Sequence, residues 1–229
     1  MKIRISDLKR LIESIARDAD TKLCLNTVLL YGNTYDLVVY DPDGIEELLK
    51  KPDATINVAQ FQKRVVGMIR VGPTYGRNKA KLPCNNALQV KMVAGDGKLM
   101  YGLGYEITGR LISDRTYVSK TARSGWKKQY SSGRGKYPLD DYENPQTPDP
   151  NDDCEVYKND PDAAVLNNAY EKNNDYATLA AVMTANNERI VSLATSLTKF
   201  SEDNIKAMIV RAGSNYFNTF DILSERCRH

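Results

Sequence analysis

Leu88-Gln89-Val90-Lys91-Met92-Val93-Ala94-Gly95-Asp96-Gly97-Lys98-Leu99-Met100-Tyr101 changes character at its centre. Leu88 to Val93 is rich in strand-forming residues. Gly95-Asp96-Gly97 is a turn signal, and Lys98 to Thr108 reads as a helix. A strand that feeds a helix through Gly-x-Gly suits a phosphate, because glycine lets backbone N–H groups approach a ligand closely. The helix N-terminus adds partial positive charge. By itself the pattern is equally that of a tight turn between a strand and a helix.

Upstream, Leu23 to Tyr31 and Tyr35 to Tyr40 read as a hairpin about Gly32-Asn33-Thr34. Asp41-Pro42-Asp43-Gly44 breaks the chain, and Ile45 to Lys51 is a short helix ended by Pro52. Ile56 to Phe61 and Arg64 to Val71 read as two strands with a tight turn at Gln62-Lys63, the second ended by Gly72-Pro73. A basic loop leads to Cys84. Downstream, Leu111 to Ser113 is a short strand, and Ser119 caps a helix from Lys120 to Tyr130.

Ser131 to Asp162 holds prolines, glycines and many acids and exceeds an ordinary connection in length. Helices follow over Ala163 to Tyr170, Tyr176 to Leu197 and Glu202 to Phe220. The last two carry apolar stripes (Val182, Met183, Ile190, Leu193, Ala194, Leu197; Ile205, Met208, Ile209, Ala212, Tyr216, Phe217) that read as packing faces. At the start, Ile3, Ile5, Leu8, Leu11, Ile12 and Ile15 recur at helical spacing behind Ser6, an amphipathic helix. The expected division is therefore a leader over 1–20, an α/β domain over 21–131, an acidic Pro-rich loop over 132–162 and a helical extension over 163–229.

Composition excludes several chemistries. The single histidine, His229, is the last residue. A Cys/His zinc site, a Ser-His-Asp triad or a Cys-His pair is accordingly not expected. The cysteines Cys24, Cys84, Cys154 and Cys227 show no CxxC spacing and are expected as free thiols. Asp149, Asp152 and Asp153 lack the spacing of a calcium loop, so no metal site is expected. No apolar run is long enough to span a bilayer, and residues 1–19 lack a secretory apolar core. A cytoplasmic protein is the expectation.

Charge is segregated along the chain. Lys63 to Lys136 contains sixteen basic residues against three acids, a balance of +13 that leaves −10 for the remainder. That asymmetry points to an anionic partner, either nucleic acid or the phosphates of a cofactor.

The order strand, strand, basic loop, strand, Gly-x-Gly, helix, strand, helix resembles the GNAT N-acetyltransferase superfamily from about Leu23 to Tyr130. Asn57 to Val71, with Val65-Val66-Gly67-Met68-Ile69, is similar to a hairpin of that fold. Leu88 to Tyr101 is similar to its acyl-CoA-binding strand, loop and helix, although Met92 stands where the family has Arg or Gln. Leu111 to Ser119, followed by Ala122 and Trp126, resembles the fifth strand and the helix after it. The implied fold is α/β, a mixed, mostly antiparallel sheet flanked by helices and split beside the acyl-CoA strand.

The activity that the resemblance implies is acyl transfer from acetyl-CoA or another acyl-CoA to an amine, on a nucleic acid or a protein. Val93, Ala94, Gly95, Asp96, Gly97 and Lys98 would receive the cofactor, and Ser113, Asp114 and Arg115 would contact substrate or phosphate. Tyr130 would serve as the acid for the leaving thiolate. Glu106 is a candidate base. The leader resembles short basic segments of large tailed-phage proteins, which implies a viral assembly partner and a host-cytoplasmic or virion location. The alternative is a non-enzymatic nucleic-acid-binding or virion-associated protein on a degenerate scaffold of the same kind.

Overall fold

The computed structural model describes residues 22–51, 56–75, 81–115, 117–141, 153–155, 159–173 and 175–226. The expected leader helix and part of the acidic stretch, 142–152 and 156–158, lie outside these residues. The elements in chain order begin with β1 (Cys24–Leu30), β2 (Thr34–Tyr40), α1 (Asp43–Leu49), α2 (Val58–Gln62), β3 (Val65–Gly72), β4 (Thr74–Tyr75), β5 (Lys81–Leu82) and β6 (Leu88–Gly95). They continue with α3 (Gly97–Thr108), β7 (Arg110–Ile112), α4 (Lys120–Ser131), β8 (Lys136–Pro138), β9 (Asp140–Asp141), β10 (Asp153–Glu155), α5 (Ala163–Leu166), β11 (Asn168–Glu171), α6 (Ala177–Leu197) and α7 (Glu202–Arg226). Two compact units are assembled from separate segments: one from residues up to Thr27, Val38–Val66 and Ala177 onward, the other from Val28–Leu37 and Gly67–Tyr176.

In the first unit the apolar faces of α6 and α7 bury Met183, Ile190, Ala194, Ile205, Ile209 and Ala212, while Val182 and Leu197 stay exposed. Tyr40 and Phe61 meet edge to face at 5.7 Å. A polar seam crosses this core. The Tyr40 hydroxyl donates to Asn187 Oδ1 at 3.0 Å, and Asn187 Nδ2 donates to Asn26 Oδ1 at 3.4 Å. Because each buried polar group has a partner, the seam avoids the penalty of an unsatisfied one.

Residues 58–62 correct the expected strand. Asn57 Oδ1 accepts the Gln60 N–H at 3.2 Å and Gln60 Oε1 accepts the Asn57 N–H at 2.7 Å. This reciprocal capping box starts a helical turn where strand propensity alone suggested an extended segment.

The second unit carries the sheet, with β1, β2 and β3 running on into the first. The strand order is β1-β2-β3-β6-β7-β11-β8. β3 pairs antiparallel with β6, β6 parallel with β7, and β11 antiparallel with both β7 and β8. The fold is thus α/β, a mixed, mostly antiparallel sheet flanked by helices. Close approach of α3 depends on Gly67, where a Cβ would sit 2.6 Å from Met100 Sδ. Trp126 of α4 is buried between Tyr101 and Tyr170, with ring centroids at 5.2 Å and 5.5 Å.

Three further expectations are corrected here. The helix expected through Tyr170 stops at Leu166, and Asn168–Glu171 enters the sheet between β7 and β8. Residues 168–171 therefore belong to the sheet, and only Ala163–Leu166 of the expected helix is helical. The stretch from Ser131 to Asp162 also contributes β8, β9 and β10, with Pro138 in an edge strand, where its missing N–H is harmless. Finally, Cys84 and Cys154 are not free thiols. Their Cα atoms lie 5.2 Å apart and the pair forms a disulfide, buried with Ala87, Ile112, Leu139 and Ala169. Seventy residues separate them, so their meeting depends on the fold and leaves no trace in local spacing.

Candidate functional site

Strand β6 has two different edges. Toward β3 its register runs from Gly67↔Gly95 to Gly72↔Gln89. Toward β7 it pairs only at Leu88↔Leu111 and Gln89↔Ile112. The chain then leaves β7 through Ser113, Asp114 and Arg115, so among the described residues no strand continues the pairing beside Val90–Gly95 and the sheet opens there. The register with β3 shifts between Arg70 and Val71, which face Met92 and Val90, leaving Lys91 as the extra residue. Such a bulge bends a strand and re-aims its groups.

At the end of β6, Gly95 has φ +89, a left-handed conformation that favours glycine. Asp96 is the N-cap of α3. Its Oδ1 accepts the N–H of Lys98 at 2.8 Å and of Leu99 at 3.3 Å. Two of the amides that would face a phosphate are thus held by the protein's own carboxylate. Gly97 is different, since a Cβ added there meets nothing within 4 Å and its φ is not positive. Neither packing nor backbone geometry demands glycine at that position. Val93 and Ala94 lie at the strand end, half-buried and buried, and Lys98 is exposed.

Ser113 and Arg115 form a buried clamp. Ser113 Oγ donates to the Leu166 carbonyl at 3.2 Å. Arg115 Nε donates to the Ser113 carbonyl at 3.1 Å, and its guanidinium also reaches Leu166 O, Cys154 O and Asn167 Oδ1. Asp114 Oδ1 accepts the Tyr117 N–H at 3.1 Å. Arg115 thereby ties the end of β7 to α5 and to the disulfide segment. Glu106, half-buried on α3, accepts the Tyr176 N–H at 3.4 Å.

Tyr130 lies at the far end of α4, where it lines a cavity of about 460 Å³ with Lys136, Pro138, Leu139 and Asn168. Lys136 Nζ sits 4.1 Å from the centre of its ring. None of Val93 to Lys98 lines this cavity, so the structure does not gather the candidate acid and the glycine turn into one pocket. Among the described residues, no group of three or more His, Cys, Asp or Glu side chains could hold a metal ion.

Tyr105 is a residue that sequence reasoning missed. It is buried, its hydroxyl has no hydrogen-bond partner among the described residues, and the Arg134 guanidinium lies 4.3 Å from its ring centre. Burial raises its phenol well above the ordinary range. Its position four residues after Tyr101 on one helix was the available signal.

Among the described residues, four cations of the basic window pair with acids from outside it. Arg70 makes two 2.6 Å hydrogen bonds to Asp36. Arg123 holds Asp160 at 2.6 Å, Lys127 holds Asp162 at 2.8 Å and Arg110 holds Glu171 at 3.2 Å. Arg134 donates to Gln129 and to the Glu171 carbonyl. These pairs lower the charge that the window presents to a partner. Among the described residues, no helix is long and apolar enough to cross a membrane. Compared with known proteins, the chain matches no family model, no curated protein and no solved structure.

Proposed function

We propose that the protein is a GNAT-type acyltransferase that seats an acyl-CoA at the opening between β6 and β7 and passes its acyl group to an amine. One observation carries this reading: two parallel neighbours in a mostly antiparallel sheet pair for two residues and then part beside Gly95-Asp96-Gly97. An exposed strand edge offers amide and carbonyl groups to an extended, amide-bearing ligand. The bulge at Lys91, on the opposite edge toward β3, bends β6, and the open space at Gly97 leaves room for a phosphate at the start of α3. No side chain is assigned as the acid in this reading, since Tyr130 lines a cavity that does not include the glycine turn and Trp126 one turn earlier is buried.

A thermal-unfolding series with acetyl-CoA tests the reading. A ligand that binds only the folded state at a hundred times its Kd stabilises by about 2.7 kcal/mol, so the midpoint should rise with concentration. Release of CoA thiol on adding an amine would then show transfer. A midpoint that stays constant up to millimolar acetyl-CoA opposes the proposal.

The Asp96 cap favours a second reading, a non-enzymatic nucleic-acid-binding or virion-associated protein on the same scaffold. A carboxylate already on the Lys98 and Leu99 amides repels a phosphate and fills the donors it would need. Salt-dependent binding of an oligonucleotide without any response to acetyl-CoA would select this reading.

A further inference from the structure

We infer that the paired strands β4 and β5 and the β1–β2 turn form a binding surface for single-stranded nucleic acid, with Tyr75 as the stacking platform and Lys81 and Lys91 as phosphate contacts. This deepens the second reading above and is independent of acyl-CoA binding.

Most arginines of the basic window are engaged with acids or with carbonyls, but the lysines beside Tyr75 have neither among the described residues. Lys81 is the cross-strand neighbour of Tyr75, and Lys91 Nζ lies 5.6 Å from the centre of the Tyr75 ring. Both lysines are exposed, and Tyr75 is 50% exposed. The placement of Lys91 depends on Gly72. A Cβ there would lie 3.1 Å from Lys91 Cε, so the missing side chain is what lets the lysine stem cross the strand toward the ring. On the other side, the Tyr75 hydroxyl approaches the turn at Gly32, where a Cβ would be 3.5 Å away. The residue before that turn, Tyr31, is fully exposed.

A half-exposed ring with one cation over it and another on the neighbouring strand, together with a fully exposed ring at the β1–β2 turn, matches what single strands require. Bases stack on the rings whatever their identity, and the backbone follows the positive charge. A duplex keeps its bases stacked inside and offers no faces to Tyr75, which favours the single strand.

The test is fluorescence anisotropy of labelled dT15 with the full chain between 50 and 300 mM NaCl. We expect binding that weakens with salt, and a log–log slope that shrinks by about 0.7 for each of Lys81→Ala and Lys91→Ala. Tyr75→Ala should weaken binding at least fivefold, and Tyr75→Phe should retain it, because stacking needs the ring and not the hydroxyl. Urea midpoints equal to wild type would show that the variants fold. Wild-type binding that none of the variants alters would overturn this surface while leaving nucleic-acid binding elsewhere intact. No binding of dT15 at 50 mM NaCl would overturn both. Equal affinity for a 15-base-pair duplex would contradict the stacking role of Tyr75.

Discussion

The carboxylate of Asp96 accepts the backbone N–H of Lys98 at 2.8 Å, at the helix end that faces the opening in the sheet. One side chain thus stabilises α3 and competes with any phosphate for the same donors. Asp96→Ala should cost about 1 kcal/mol of stability, the usual value of an N-cap. It should also tighten acetyl-CoA binding by freeing two amides. Urea unfolding and calorimetry on one preparation read both effects, and a variant that loses stability without gaining affinity would count against phosphate binding there.

Asp36 is fully buried and its carboxylate is held by both arms of the Arg70 guanidinium. Removing the arginine leaves a buried charge without its partner, at a cost of about 3–5 kcal/mol. Arg70→Met should therefore lower the urea midpoint strongly. The double variant Arg70→Met with Asp36→Leu should recover much of the loss, since apolar replacement of both partners removes the desolvation problem. Equal destabilisation by the single and double variants would contradict this.

The Cys84–Cys154 bond closes a long loop through the second unit. Loop-closure entropy for such a length is about 4 kcal/mol. The pair Cys84→Ala, Cys154→Ala should lose stability on that order, and wild type should lose the same amount on reduction. Thiol alkylation and mass measurement before and after reductant check that the bond is present.

Acid should weaken the protein in a defined window. The Glu171 carboxyl is held below its ordinary value of 4.5 by the Tyr137 hydrogen bond and then by Arg110. That of Glu46 is lowered by the Arg189 hydrogen bond. For a carboxylate with a depressed folded value, the stabilisation is present above the unfolded value and is lost as pH falls through the folded one. The urea midpoint should hold from neutral pH down to about 4.5 and fall below it. Glu171→Gln should make that fall shallower. Alkali acts on Cys24, whose thiol burial pushes up to about 12, so stability should decline as pH rises above its ordinary 9.0.

Sequence carried the parts of this fold that local chemistry controls. The hairpin at Gly32-Asn33, the strand Leu88–Val93, the Gly-x-Gly turn and the Ser119 cap were all legible, because each depends on a few adjacent residues. Asn57 to Gln62 misled because its β-prone residues hide a capping box. Asn168–Glu171 misled because its place in the sheet comes from neighbours about 30 and 60 residues away, Tyr137 and Leu111 among them. The pairing of charges was hidden in a similar way. Arg70, Arg123 and Lys127 find Asp36, Asp160 and Asp162 only after folding, so counting charges along the chain overstated what remains for a partner. The disulfide was invisible for the same reason.

The central claim is that the opening between β6 and β7 receives an acyl-CoA with its phosphates at the start of α3. Isothermal titration of acetyl-CoA into wild type and Gly97→Glu tests it most directly. A Cβ at Gly97 meets nothing within 4 Å, and an acid in the first turn of a helix suits the dipole, so this variant should fold as stably as wild type. Saturable heat from wild type that vanishes in Gly97→Glu is the expected result. Absence of heat from both wild type and Asp96→Ala, or equal affinity in Gly97→Glu, would contradict it.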